Sequence, residues 1–214
     1  MEQRATVPRG RHAPPLEVRL SVQRTRLFQA AAAVFARIGY ADASAEAISR
    51  EAGMSKATFY EHFDNKEECI LALFDRAATQ VMGAMAEGAI SAGNDPVARV
   101  RAGIAAFLEQ VATHPDHAQT LLVEIIGAGP RCAERRDRVL QTFADVIYAE
   151  NAAAAKKGKA PLFASKHDAF AVVGAAVELA SRQIRLGVPA DIRELEPVIE
   201  RLLLGLLSQA PQQR

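Results

Sequence analysis

Tryptophan is absent from this 214-residue chain, and aromatic residues make up only 6% of it. A cavity built from these side chains is therefore expected to be aliphatic. Cysteine is nearly absent too, with Cys69 and Cys132 alone. Neither sits in a Cys-x-x-Cys pair or beside a histidine, which argues against a disulfide framework or a zinc site. Both fall in predicted helices, where a free cysteine acts as a small buried hydrophobe. No apolar run reaches the roughly 18 residues of a membrane span. The opening MEQRATVPRGRHAPP lacks the apolar core of a secretory signal. A soluble, cytoplasmic protein without membrane contact is expected. There is no Gly-rich phosphate loop, nucleophile elbow or His-Glu-x-x-His. No catalytic residue, metal or cofactor is therefore assigned, and an enzyme is not expected. His114 and His117 are spaced as a metal pair, but no third ligand accompanies them.

Charge is balanced in total and uneven along the chain. The net value is +1. Six arginines against Glu2 and Glu17 give residues 1–26 a charge of +4, leaving −3 for the remainder. A basic arm on a near-neutral body suits a localised polyanion contact. Pro8, Pro14 and Pro15 argue that residues 1–16 are a disordered basic arm.

What is present is helical periodicity almost throughout, with no strand pattern. The first helix is predicted from Glu17 to Ile38. Leu27, Ala31, Val34, Phe35 and Ile38 share one face, and Gly39 is placed to end it. A short helix follows at 44–52 with Ser44 as N-cap. Gly53 separates it from a third helix at 55–63. A long helix to about Gly88 starts at Asn65, whose Glu68 completes a capping box. Helix breakers divide the rest into segments 95–113, 116–127, 131–157, 165–186 and 191–208. Pro197 either sits in the first turn of a helix starting near Glu196 or kinks a longer one. The fold class is all-α, with about nine helices.

The segment GMSKATFYEHFDNKEE, residues 53–68, carries the functional signal. At 3.6 residues per turn, Phe59 and Phe63 fall together as the inward face of the third helix. Ala57, Thr58 and Glu61 point away, flanked by Tyr60 and His62, with Ser55 and Lys56 at the helix start. A small outward centre lets a helix backbone approach base edges in a DNA major groove. Alanine and the threonine methyl can touch thymine methyls, and Glu61 can accept from a cytosine amino group or repel phosphate. Tyr60, His62, Lys66 and the N-terminus of the second helix at Ser44 are placed for phosphate. Arg24 and Arg26 would supply compensating charge.

Residues 21–75 resemble the N-terminal domain of the TetR family of transcriptional regulators. The carrying stretches are LFQAAAAVFARIGY, ASAEAISREAGMSKATFYEHF and DNKEECILALFD, with Gly39, Gly53, Thr58, Tyr60, Phe63, Lys66 and Glu67 in register. The resemblance implies a three-helix DNA-binding domain with a helix-turn-helix over 17–65. A larger helical ligand-binding and dimerisation domain would cover 66–214. It implies a homodimeric repressor on double-stranded DNA with a pseudo-palindromic operator, released by a small effector. The pocket candidates are Phe107, Val111, Leu121, Leu122, Ile125, Phe143, Ile147 and Tyr148, which suit a hydrophobic effector. Glu124 and Glu178 lie in apolar runs and either face a cationic ligand or meet solvent or an arginine. The implied four-helix interface draws on Phe170, Val173, Val177 and Ile184 of one helix and Leu202 and Leu206 of the next. The alternative is a helical ligand-binding or scaffold protein that no longer binds DNA.

Overall fold

A computed structural model describes residues 15–208. The expected basic arm, apart from its last two residues, lies outside the described residues. Nine α-helices and two 3₁₀ turns occur among the described residues, with no strand. The helices are α1 (Leu16–Asp42), α2 (Ala45–Ala52), α3 (Lys56–His62), α4 (Lys66–Ser91) and α5 (Pro96–Thr113). After these come α6 (Pro115–Leu122), α7 (Pro130–Lys156), α8 (Lys166–Leu186) and α9 (Glu196–Ser208).

Helix boundaries differ from the sequence reading in four places. The first helix does not stop at Ile38. Gly39 adopts φ 76°, ψ 161°, which kinks the chain, and a final turn carries α1 on to Asp42. Such a backbone is easy only without a Cβ. Gly88 does not end α4 either. A Cβ there would lie 3.0 Å from the Ala102 carbonyl, so this glycine permits close packing of α4 on α5. The segment 116–127 divides at Val123 (φ −122°, ψ −63°) into α6 and a 3₁₀ turn, Glu124–Gly127. The last segment divides too. A 3₁₀ turn, Ile192–Leu195, precedes α9, and Pro197 sits in the first turn of α9, where its missing N–H is no loss.

Two apolar cores stack along the molecule. The first joins Leu27, Val34 and Phe35 of α1, Ile48 of α2, Phe59 of α3 and Phe63 just after it to Cys69, Ile70, Leu73 and Phe74 of α4. Ile125, Ala128 and Cys132 close it from the far half of the chain. The second holds Phe107, Leu108 and Val111 of α5, Leu122 of α6, Leu140 of α7, Val173 and Val177 of α8, and Ile199 and Leu203 of α9. Leu121 packs against both. Helix α4 is long and apolar enough to cross a membrane by length and composition. Its stripe from Cys69 to Val81 is instead buried. Both cysteines are free and buried. Burial pushes Cys69 up to about 12 and Cys132 up to about 11, so neither thiol is reactive near neutrality.

Candidate nucleic-acid interface

The helix-turn-helix is fixed by its caps. Ser44 Oγ accepts from the Ala47 N–H at 3.1 Å, and Ser55 Oγ accepts from the Thr58 N–H at 3.1 Å. Between them Gly53, at φ 64°, ψ 38°, is the left-handed C-cap of α2, and the Met54 N–H returns to the Ser49 carbonyl at 2.9 Å. These partners satisfy backbone groups that a helix end leaves open.

Aromatic packing then sets the roll of α3. Phe59 is fully buried and Phe63 nearly so. Their ring centroids are 5.4 Å apart, and Phe28 of α1 lies 5.6 Å from Phe63. Arg24 holds its guanidinium 5.0 Å from the Phe63 ring centre and 5.4 Å from that of Phe28, while Arg76 of α4 sits 5.3 Å from Phe28. Such cation–π contacts contribute about 0.5–2 kcal/mol each. With the inner face anchored, Ser55, Lys56, Ala57, Tyr60 and Glu61 are exposed. Lys56 lies over the Tyr60 ring at 6.0 Å.

Four expected DNA contacts are placed differently. Arg26 turns inward, and its Nη2 donates to the Ala52 carbonyl at the end of α2 at 2.8 Å. Lys66 also turns inward. Its Nζ donates to the carbonyls of Tyr40 at 2.6 Å and Ala41 at 3.1 Å, and sits 4.2 Å from the Tyr40 ring centre. Both cations are spent on helix ends, where carbonyls lack partners. His62 is half-buried against Gln23, 3.4 Å away. Burial first, and Arg24 second, push its pKa below the ordinary histidine value, so the ring is neutral near pH 7. Thr58 is half-buried and its hydroxyl pairs with Ser55 Oγ at 3.0 Å.

The expected pocket residues do not form one wall. Phe107, Val111 and Leu122 are buried in the second core, with Phe143, Ile147 and Tyr148 half-buried against it. Ile125 belongs to the first core, because the 3₁₀ turn carries it towards α1. Glu178 is exposed and ion-paired with Arg185 at 3.0 Å, so it faces no cavity. A narrow cleft opens between α4, α5 and α6, with about 20 Å³ free, room for about one water. Val111 and Leu121 line it with Ala77, Val81 and Ala118, and Gln80, Gln110, His114 and His117 add polar groups. Burial, then His114 and Arg76, push His117 below the ordinary histidine value. The two histidine rings stack at 6.0 Å.

The expected interface residues divide as well. Val173 and Val177 are buried within the chain's own second core, so they offer nothing to a partner. Phe170 and Leu202 are exposed at 36% and 37%, joined by Val198 at 38%. Ile184 and Leu206 are half-buried.

Tyr40, left without a role by sequence reading, and Glu124, read as facing a cationic ligand or meeting solvent or an arginine, join the halves of the molecule instead. Tyr40 and Glu124 meet at 2.7 Å, backbone N–H to carboxylate. Tyr40 stood in a recognised stretch, but nothing local named its partner 84 residues away.

Residues 27–73 match the profile of the family described as bacterial regulatory proteins, tetR family. The HTH-type transcriptional regulator EthR of Mycolicibacterium smegmatis is 27% identical over 122 residues, 57% of this chain and 56% of that protein. The HTH-type transcriptional activator FasR of the same organism is 31% identical over 102 residues, covering 48% and 46%. The chain thus matches about half the length of these relatives. Among solved structures, the transcriptional regulator FadR from Bacillus subtilis, in complex with stearoyl-CoA, superposes with a TM-score of 0.75. That similarity spans 84% of this chain and 96% of the other at 18% identity, a likeness of fold.

Proposed function

We propose that the chain is a tetR-family regulator, as the match of residues 27–73 to that family supports, and that it is a homodimeric, sequence-specific transcriptional regulator, a repressor released from DNA by a small effector. The observation that carries this reading is α3 itself. Phe59 and Phe63 anchor one face, while Lys56, Ala57, Tyr60 and Glu61 stand exposed on the other. A seven-residue helix with a small centre and a phenol at its flank suits a major groove. Ser44 at the start of α2 and Arg24 beside α3 are the phosphate partners. The relatives' description as HTH-type regulators supports the same reading.

The exposed residues Phe170, Val198 and Leu202 are the proposed dimer contacts, which would set two copies of α3 on the two halves of an inverted repeat. The effector is proposed to be hydrophobic and to enter between α4, α5 and α6, beside the second core. The stearoyl-CoA complex of FadR supports an acyl-chain class. The protein acts in the cytoplasm and needs no catalytic group.

Selection of bound sequences from random duplex DNA at one fixed, near-physiological salt tests the reading. Enrichment of an inverted repeat is expected. A folded dimer that enriches nothing would overturn it, in favour of a ligand-binding or scaffold protein that no longer binds DNA.

A further inference from the structure

The cleft between α4, α5 and α6 carries polar groups that no other part of the chain answers. Val81, Val111 and Leu121 give it aliphatic walls, while Gln80 of α4, Gln110 of α5 and His117 of α6 bring two amides and an imidazole. Gln110 and His117 are half-buried and Gln80 is exposed. Among the described residues, none of these three side chains makes a hydrogen bond, and their polar atoms keep some contact with solvent. His114 differs. Thr113 Oγ1 donates to the Glu109 carbonyl at 2.7 Å, so towards His114 Nδ1, 3.0 Å away, it accepts, as does the Gln110 carbonyl at 3.3 Å. His114 Nδ1 therefore carries the proton, and the neutral ring has no second N–H to offer.

Charge favours one kind of occupant. Arg76 lies one turn before Gln80 on α4, half-buried, with its guanidinium 5.3 Å from the Phe28 ring centre. Among the described residues it forms no ion pair, because the adjacent Asp75 pairs with Arg135 of α7 at 2.6 Å instead. Burial first, then His114 and Arg76, hold His117 below the ordinary histidine value, against the opposing pull of Asp116. The charge of Arg76 is thus felt at the cleft, and α5 adds no charged group there. Partial burial strengthens the attraction of such a cation for an anion, since the local dielectric is lower than that of water.

We propose that the cleft takes an aliphatic carboxylate, with its acid head at Gln80, Gln110 and His117 and its chain along Val81, Val111 and Leu121. This rests on the reading of the cleft as the effector's site and names the head group that site selects. A carboxylate only accepts hydrogen bonds, and its two oxygens can take about four. It therefore matches two amide NH₂ groups and one imidazole N–H, and Arg76 adds attraction. An ester or a thioester presents a neutral carbonyl and gains little from Arg76, while an ammonium group would be repelled by it. With about 20 Å³ free, the walls must part to admit the chain.

The test is equilibrium dialysis of the full chain at neutral pH against dodecanoate, methyl dodecanoate and dodecanoyl-CoA, each below its micelle concentration. Dodecanoate is expected to bind about tenfold or more tighter than either ester, the scale of hydrogen bonds to a charged group. Gln80→Leu and His117→Leu should each weaken dodecanoate by about tenfold and leave methyl dodecanoate within about twofold. His117→Gln, which keeps a donor, should hold dodecanoate close to wild type. Should His117→Leu fail to fold, Gln80→Leu at its exposed position decides alone. Proton NMR titration of the His117 ring supplies a second readout, since a bound carboxylate raises its pKa and the methyl ester does not. Equal affinity for acid and ester, tighter binding of dodecanoyl-CoA, or variants that bind dodecanoate as wild type would each overturn the proposal. Equal binding of acid and ester would still leave a hydrophobic effector in place, whereas binding of none of the three would remove the effector reading as well. Selection of an operator is independent of all these outcomes.

Discussion

Arg26 of α1 donates from Nη2 to the carbonyl of Ala52, the last residue of α2, at 2.8 Å. This ties the first helix to the turn that aims α3, and it separates Arg26 from Arg24 only two residues earlier. Loss of a hydrogen bond to a charged group costs about 1.5–3 kcal/mol. Arg26→Ala is therefore expected to lower stability by about that amount, read as a reduced urea midpoint at constant m. Its operator affinity should keep the wild-type salt dependence. Arg24→Ala should instead shift the log–log salt slope by about one, whatever stability its two ring contacts contribute. A flattened slope for Arg26→Ala would place that guanidinium on phosphate and contradict its inward position.

Tyr60 and Ala57 divide the labour of α3. Tyr60 is 49% exposed on the flank, placed for a phosphate, whereas Ala57 is at the exposed centre. Tyr60→Phe removes one hydrogen bond to a charged phosphate, about 1.5–3 kcal/mol, so binding should weaken by about tenfold or more on every operator tested. Ala57→Ser and Thr58→Ala should change which operator is preferred. Thr58→Ala also loses the hydroxyl pairing with Ser55, so its melting temperature must be measured beside its binding. Uniform losses across operators for all three variants would remove this division.

The fold was largely legible because its signals are local. Phe59 and Phe63 are four apart, and Ser44, Ser55 and Asn65 each cap a helix through a residue three places on. The roles of Arg26, Lys66 and Glu124 were not legible, since their partners lie 26, 26 and 84 residues away. A cation near a basic arm reads as a phosphate contact until the carbonyl it caps is in view. Glu178, inside AAVELA, left two readings open, a cationic ligand or solvent with an arginine, and it lies exposed beside Arg185. Periodicity names a helix face without saying whether the chain itself or a partner covers it. Val173 and Val177 therefore could not be separated from Phe170.

Acid stability follows from two histidines. Burial is the largest cause depressing both His62 and His117, so each holds a proton less readily folded than unfolded. The unfolded chain then takes up more protons as pH falls below about 6.5. Stability is full above that pH and declines below it, on through the depressed folded-state values. Thermal melts across this range should show the decline. His117→Gln, which cannot charge, should make it shallower. A decline of unchanged steepness would assign the acid loss to groups other than the cleft histidine.

The exposed apolar residues of α8 and α9 make the dimer testable without DNA. Phe170 and Leu202 are among the exposed large hydrophobic residues, while Val173 is 7% exposed and faces the second core. A carboxylate at an exposed position costs the folded monomer little, but within a dimer seam it would be desolvated and unpaired. Phe170→Asp with Leu202→Asp is therefore expected to give a folded monomer by sedimentation, with helical content and monomer stability close to wild type. Its affinity for an inverted repeat should fall more than a hundredfold, because each half-site would be bound alone. Val173→Asp should instead unfold the second core, since a buried unpaired charge costs several kcal/mol. A Phe170→Asp, Leu202→Asp protein that remains dimeric would move the interface off these residues and require another explanation for their exposure.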